Sequence, residues 1–226
     1  MCLFLIIYCL MGIINQGILG GLRKKVGSVV GASWKGIPVL RIYQPVVANP
    51  KTAAQVTVRN GFKGFAQLAS LILASFIKPL WDRGAVRMSG YNAFLKANAE
   101  GIAAGDNPFG ATIVATKGKM DKTTIASVSL SAAGLTVTWD GSASNRYALP
   151  TDLPFVLVMD DANEKVLYAG AAPEGVKRSD GTLTILPAAF MNPADATSEG
   201  KVYLSFMRAD GSIVSDSDDE DYAYSA

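Results

Sequence analysis

From residue 111 onward, short apolar runs alternate with turn signals, and this spacing restricts the fold more than any other feature of the chain. The signals that separate the runs are Asp140-Gly141, Asp161–Glu164, Asp180-Gly181 and Asp210-Gly211. Because the runs are too short for helices and several alternate in polarity, they predict antiparallel strands with one buried face. The predicted strands are Leu135–Trp139, Phe155–Met159, Val166–Ala169, Leu183–Leu186, Val202–Met207 and Ile213–Val214.

This pattern predicts an immunoglobulin-like or fibronectin-III-like β-sandwich for residues 111–226. Six or seven short strands in about 100 residues, with a tryptophan on an early strand, are typical of such folds. Neither cysteine of the chain, Cys2 or Cys9, lies in this half. We therefore expect a sandwich without an inter-sheet disulfide.

Residues 49–104 have the periodicity of a helical hairpin. The first helix has two start signals, Asn49-Pro50 and the Thr52–Gln55 capping box, and is expected to end at Lys78-Pro79. Ser89 is the expected N-cap of the second helix. The first helix carries one apolar stripe, formed by Val58, Phe62, Phe65, Ala69, Ile72 and Phe76. Such a stripe is more often core than a binding surface, and the alternative is a partner-helix face at Phe62, Phe65 and Phe76.

Glycine interrupts residues 12–47 so often that only short strands or extended arms fit, such as Val26–Val30 and Ile37–Tyr43. The stretch Gly21–Ser28 lacks the spacing and the lysine of a phosphate-binding loop, which makes a nucleotide site improbable. The predicted fold class is therefore α+β: a glycine-rich basic arm and a helical hairpin over residues 11–110, followed by an all-β sandwich over residues 111–226.

Residues 1–10 are almost wholly apolar, but they lack the basic residue and the cleavage site of a secretory signal and are too short to span a membrane. We interpret them as an extension upstream of a true start at Met11, with a weak membrane or export leader and a buried strand as the alternatives. Membrane association is expected only if they are a real anchor. The compartment stays open, with cytoplasmic or virion-associated locations slightly favoured over export.

The two halves of the chain carry opposite charge. Residues 1–110 contain 12 Lys and Arg against 3 acids, and residues 111–226 contain 9 against 16, although the whole chain is only +2. Such asymmetry indicates that the basic half contacts a polyanion or a membrane surface, or that the halves attract each other within a chain or between copies. The candidate polyanion or partner contacts are Arg23, Lys24, Lys25, Trp34, Lys35 and Arg41, with Tyr43 as a second aromatic.

The composition argues against an enzyme. The chain has no histidine, which excludes Ser-His-Asp and Cys-His nucleophiles and imidazole metal ligands. Asp160-Asp161 is interpreted as a turn rather than a catalytic pair, and the acidic run Asp216–Asp221 as a solvated tail. We therefore expect no catalytic residues, no cofactor and no metal site.

Several motifs resemble an uncharacterised protein family from the Bacteroidetes. At the N-terminus these are Met11–Gly21 (MGIINQGILGG), Lys25–Gly31 (KVGSVVG) and Trp34–Gly36. An NPKTxxQ helix at Asn49–Gln55 and a turn at Met88–Asn92 follow, and the β-rich half matches at Thr138–Asp140 and Ala209–Gly211. The resemblance implies an architecture and Met11 as the start, but no activity. The NPKTxxQ helix is also similar to segments of phage-associated and virion structural proteins.

Together these features predict a non-catalytic structural or interaction protein, with a virion or surface-assembly component as one version. Its expected partner is another protein or a second copy of itself. The alternative is a nucleic-acid-binding protein that uses Arg23–Lys25, Lys35 and Arg41 in the basic half.

Overall fold

The chain folds into two compact units, Met1–Lys51 (the N-terminal unit) and Thr52–Ala226 (the C-terminal unit). The computed structural model describes residues 12–13, 24–34, 36–46, 50–131, 133–142, 147–173, 175–191 and 199–223. The expected leader at residues 1–10 lies outside these ranges. The sequence pattern places a division after residue 110, whereas the two compact units divide after Lys51. The helices belong to the same unit as the β-rich half because they are buried against it.

The N-terminal unit contains a four-stranded antiparallel sheet in the order β1-β4-β3-β2. Its strands are β1 (Gly12–Ile13), β2 (Lys24–Val26), β3 (Val29–Trp34) and β4 (Ile37–Ile42). The predicted short strands are confirmed, but Val26–Val30 is not one run. Gly27 has a φ of 61°, which favours glycine, and its turn joins β2 to β3.

The first helix, α1, spans Ala53–Leu71 and begins at the predicted capping box. The Thr52 side-chain oxygen accepts a hydrogen bond from the Gln55 amide at 3.4 Å. The predicted end at Lys78-Pro79 is wrong. A π-helical turn at Leu73–Ile77 and the short helix α2 (Lys78–Trp81) continue the chain after a 69° bend, and Pro79 lies in the first turn of α2, where a missing amide is tolerated.

The second arm of the hairpin consists of α3 (Gly90–Ala97) and α4 (Ala99–Ala104). Ser89 caps α3 as predicted, since its hydroxyl accepts from the Asn92 amide at 3.3 Å. The buried face carries Phe94, Leu95, Asn98 and Ile102.

Within the described residues of the C-terminal unit, seven strands form two antiparallel sheets, with the orders β11-β10-β7-β8 and β5-β6-β9. With the helices they establish the α+β class. The strands are β5 (Ile125–Ser131), β6 (Gly134–Trp139), β7 (Leu153–Asp160), β8 (Lys165–Ala171), β9 (Thr182–Ile185), β10 (Gly200–Met207) and β11 (Asp218–Tyr222).

The interpretation of the C-terminal acidic run as a solvated tail is wrong, because Asp218–Tyr222 is strand β11. Asp218 is buried, and its carboxylate accepts from the Lys122 ammonium at 2.7 Å and the Ile125 amide at 2.9 Å. Tyr222 is also buried. These two anchors place Asp219, Glu220 and Asp221 on the edge of a sheet.

Strand β7 is buried on both faces and separates two apolar cores. Phe155, Leu157 and Met159 pack with the helices, whereas Val156 and Val158 pack with the β5-β6-β9 sheet. This division follows from the alternation of side chains along a strand. The β11-β10-β7-β8 sheet is therefore covered by helices on one face and by the β5-β6-β9 sheet on the other.

No single helix in the described part of the chain is long and apolar enough to cross a membrane. Taken together, α1 and the segment Leu73–Trp81 are long and apolar enough for a span, but a 69° bend separates them. Much of their apolar surface is buried in the core with β7.

A buried ion pair lies beside the second core. The Arg178 Nε atom is 3.4 Å from the Asp152 carboxylate, and the two side chains are 1% and 0% exposed. Arg178 also donates to Thr123 and to the Met120 sulfur and stacks over the Phe206 ring at 4.1 Å. Burial lowers the pKa of the Arg178 guanidinium, and the Asp152 carboxylate opposes that shift.

We expect Asp152→Asn to lower the free energy of unfolding by about 3–5 kcal/mol, because it leaves a buried guanidinium without its counter-charge. The double variant Asp152→Asn/Arg178→Met removes both charges and should recover a large part of that loss. Chemical denaturation followed by tryptophan fluorescence measures both. A double variant as unstable as Asp152→Asn would show that the pair does not act through charge.

Alkaline pH should destabilise the C-terminal unit through Tyr203. Its hydroxyl accepts from the Ile113 amide at 3.2 Å, and burial is the main cause that raises its pKa far above the ordinary value of 10.0. The folded state then holds the phenol proton after the unfolded state has lost it, so stability falls as pH rises above about 10. Tyr203→Phe should flatten that fall, while costing about 1–3 kcal/mol at neutral pH because the Ile113 amide loses its acceptor. Unfolding titrations at several pH values test this, and an unchanged alkaline slope contradicts it.

Candidate functional site

The N-terminal sheet has one cationic and one apolar face. In its register Lys25 is opposite Val30, which is opposite Arg41, so these three side chains form a row on one side, here named the cationic face. The next row, Val26, Val29 and Ile42, lies on the other side, here named the apolar face. Two of the basic residues, Lys25 and Arg41, thus lie on the side opposite the row of Val26, Val29 and Ile42, with Val30 between them.

Tyr43 belongs with the cationic face. The Lys25 ammonium lies 3.6 Å from the centre of its ring, a cation–π contact, and the Tyr43 amide donates to the Ser28 carbonyl at 2.7 Å. The aromatic ring therefore holds the Lys25 head group at the surface of the sheet.

The structure brings together only part of the predicted basic cluster. Lys25 and Arg41 share a face, but Lys24 pairs with Gly31 and lies on the apolar face, with a φ of 72°. Trp34 ends β3 with its backbone paired to Ile37. Arg23 and Lys35 lie outside the described residues. Adjacent positions on a strand point to opposite sides, which is why the Lys24-Lys25 pair divides.

Apolar surface is unusually open in this sheet. Among residues 24–46 for which the structure describes the exposure, only Gly31 is buried, and it has no side chain. Val26 and Ile42 are 56% and 67% exposed. The first acidic residue of the whole chain is Asp82, so nothing in the N-terminal unit neutralises its cations. The sheet can bind through apolar contact on one face and through charge on the other.

The predicted phenylalanine stripe divides between core and surface. Phe65 and Phe76 are 1% and 0% exposed. They lie in the core that the helices form with β7, so they are not available to a partner. Phe62 is 51% exposed. The helix turns by 100° per residue, and the three positions do not all fall within the strip that the sheet covers.

Phe62 borders an open depression of about 820 Å³ on α1. Leu71 and Phe109 supply further apolar lining, and Lys63 and Glu164 provide one charge of each sign. The depression is a candidate docking surface, but its charges balance and favour no particular class of partner.

A second candidate site lies at the edge of the sheet where β7 and β11 end and β10 begins. Asp161 follows β7, Glu199 precedes β10 and Asp221 lies near the end of β11; these three carboxylates are here named the acidic end. They line one cavity of about 470 Å³. Lys201 lies 2.6 Å from Asp221 and 4.0 Å from Asp219.

The acidic end escaped prediction because its three residues are far apart in the sequence. The register Gly200↔Tyr222 and Gly200↔Asp160 brings them together. Among the described residues, no group of three or more acidic or cysteine side chains has an arrangement that could hold a metal ion. Asp161, Glu199 and Asp221 are all exposed, so the acidic end can contact cationic groups at the surface.

We expect Phe65→Ala to lower the free energy of unfolding by about 3–5 kcal/mol, because it empties a filled core position. Phe62→Ala, the same change on a half-exposed side chain of the same helix, should cost less than about 1 kcal/mol. Urea denaturation of the two variants makes the comparison. Equal losses would contradict the division of the stripe between core and surface.

The family model of DUF6266, described as a family of unknown function, matches residues 21–219. No curated protein and no solved structure matches the chain. This match confirms the resemblance to an uncharacterised family. It does not show that the family comes from the Bacteroidetes. The matched residues cover most of both units, and the chain belongs to this family of unknown function, DUF6266.

Proposed function

We propose that this protein is a non-catalytic structural or interaction protein that assembles through its N-terminal sheet. A virion or surface-assembly component is one version of this role. The observation that carries the proposal is the apolar face, a row of β-branched side chains in which Val26 and Ile42 are exposed and Val29 is half-buried.

The physical argument rests on the stability of small sheets. A β-sheet that carries an apolar face is stabilised when that face is buried against another element. Covering one valine or isoleucine side chain contributes about 1.5–3 kcal/mol. A partner that covers Val26, Val29 and Ile42 would therefore gain affinity and stabilise the sheet at the same time.

We propose an immunoglobulin-like or fibronectin-III-like sandwich for the C-terminal unit. Its support is the strand pairing, in which β5, β6 and β9 form one sheet while β7, β8, β10 and β11 form the other. Trp139 of β6 packs edge-to-face on Phe206 of β10 at 5.5 Å, so an aromatic pair joins the two sheets.

Nucleic-acid binding is the alternative function, and the cationic face supports it. Lys25 and Arg41 could contact phosphates, and Tyr43 offers a ring for stacking. Since the described residues place only two cations on this face, the apolar row is the stronger observation.

Size-exclusion chromatography with light scattering tests the assembly role, at low and high salt and with the nucleic-acid absorbance recorded. We expect the wild type to form oligomers, and Val26→Ser/Ile42→Ser to weaken the association at least about tenfold, because it removes apolar contact. The matched control is Val56→Ser/Val58→Ser, which changes exposed valines on α1 and should assemble like the wild type.

A wild type that is monomeric at every protein concentration, or a Val26→Ser/Ile42→Ser variant that assembles normally, overturns the assembly role. A monomer that co-elutes with nucleic acid and releases it in salt supports the alternative. Lys25→Ala/Arg41→Ala should then abolish that co-elution.

A further inference from the structure

We propose that the cationic face of one copy binds the acidic end of a second copy, in a head-to-tail contact. This inference rests on the proposed assembly role, and it names a partner surface for the cationic face, on the other side of the sheet from the apolar row. Its cationic side is Lys25 and Arg41, and its acidic side is Asp161, Glu199 and Asp221.

The first argument is that the two surfaces match in spacing. Lys25 and Arg41 lie on β2 and β4 with β3 between them, so their backbones are about 10 Å apart, two inter-strand spacings. The three carboxylates belong to the ends of β7, β10 and β11, which also lie side by side in the order β11-β10-β7. The acidic end therefore spans a similar distance.

The second argument is the distribution of charge. No acidic residue precedes Asp82, so a second N-terminal sheet would repel the cationic face rather than bind it. The carboxylates of the acidic end are exposed, and Lys201, the one lysine among the described residues that line its cavity, bonds to Asp221. Three carboxylates against one ammonium leave a net negative charge for an incoming cation.

The third argument is that β11 is an edge strand. Among the described residues its only strand partner is β10, and Glu220 and Asp221 are exposed. An approaching copy can therefore reach Asp221 without displacing structure. Because the two surfaces differ, the contact is heterologous, and repeated addition produces open chains or rings rather than a closed two-fold dimer.

A charge-swap experiment on the full chain tests the contact. Lys25→Glu/Arg41→Glu makes the cationic face acidic, and Asp161→Lys/Glu199→Lys makes the acidic end basic while leaving the Lys201–Asp221 pair in place. We expect each variant alone to associate at least about tenfold more weakly than the wild type in low salt, because like charges then face each other. An equimolar mixture should regain association, since each variant keeps one native surface that complements the other variant's.

The matched control is Glu100→Lys/Asp106→Lys, which makes the same charge change on exposed positions at α4 and should assemble like the wild type. Sedimentation velocity over a range of protein and salt concentrations gives the association constants, and circular dichroism checks that each variant is folded. Wild-type association should weaken with salt, because exposed charges are screened within about 10 Å at 0.1 M.

The outcomes separate this inference from the assembly role. If the charge variants associate as the wild type does while Val26→Ser/Ile42→Ser does not, the head-to-tail contact is overturned and the apolar-face assembly stands. If only Lys25→Glu/Arg41→Glu is impaired and the mixture does not recover, the cationic face binds something other than the acidic end, and co-eluting nucleic acid would identify it. A monomeric wild type overturns both proposals.

Discussion

The burial of β7 on both faces is the constraint on which the C-terminal unit depends. A strand with water on one side alternates apolar and polar residues, but Leu153–Met159 is apolar throughout and needs two covering layers. The helices cover Phe155, Leu157 and Met159, and the β5-β6-β9 sheet covers Val156 and Val158. Removing either layer would expose half of this strand, which explains why the helices and the β-rich half form one compact unit.

The N-terminal sheet is organised in the opposite way. Its strands are short, Val26 and Ile42 of its apolar row are more than half exposed, and the first 81 residues of the sequence contain no acidic side chain. The acidic end of the C-terminal unit has the reverse character, with carboxylates that exceed the available ammonium groups. The assembly proposal follows from the exposed apolar side chains, and the head-to-tail proposal follows from the opposite charges of the cationic face and the acidic end.

Local signals in the sequence were sufficient for much of the fold. The Thr52 and Ser89 caps depend on side chains within three residues, and both were located correctly. Strand β11 was missed because four of its five residues are acidic and no local pattern marks them as a strand. Its position depends on Asp218, which is buried beside Lys122 and Ile125 from a distant part of the chain. The candidate site was predicted in part: Lys25 and Arg41 could be named, but not the face that they share.

The sequence by itself determined the α+β class, the helix starts, most strands and the separation of positive from negative charge, since each depends on residue type and short-range spacing. Only the tertiary structure decided which side chains meet. It placed Lys25 and Arg41 on one face, Phe65 in the core and Phe62 at the surface, and it brought Asp161, Glu199 and Asp221 to one end of a sheet. These outcomes depend on strand register and on what covers each face, and both arise from contacts between residues far apart in the chain.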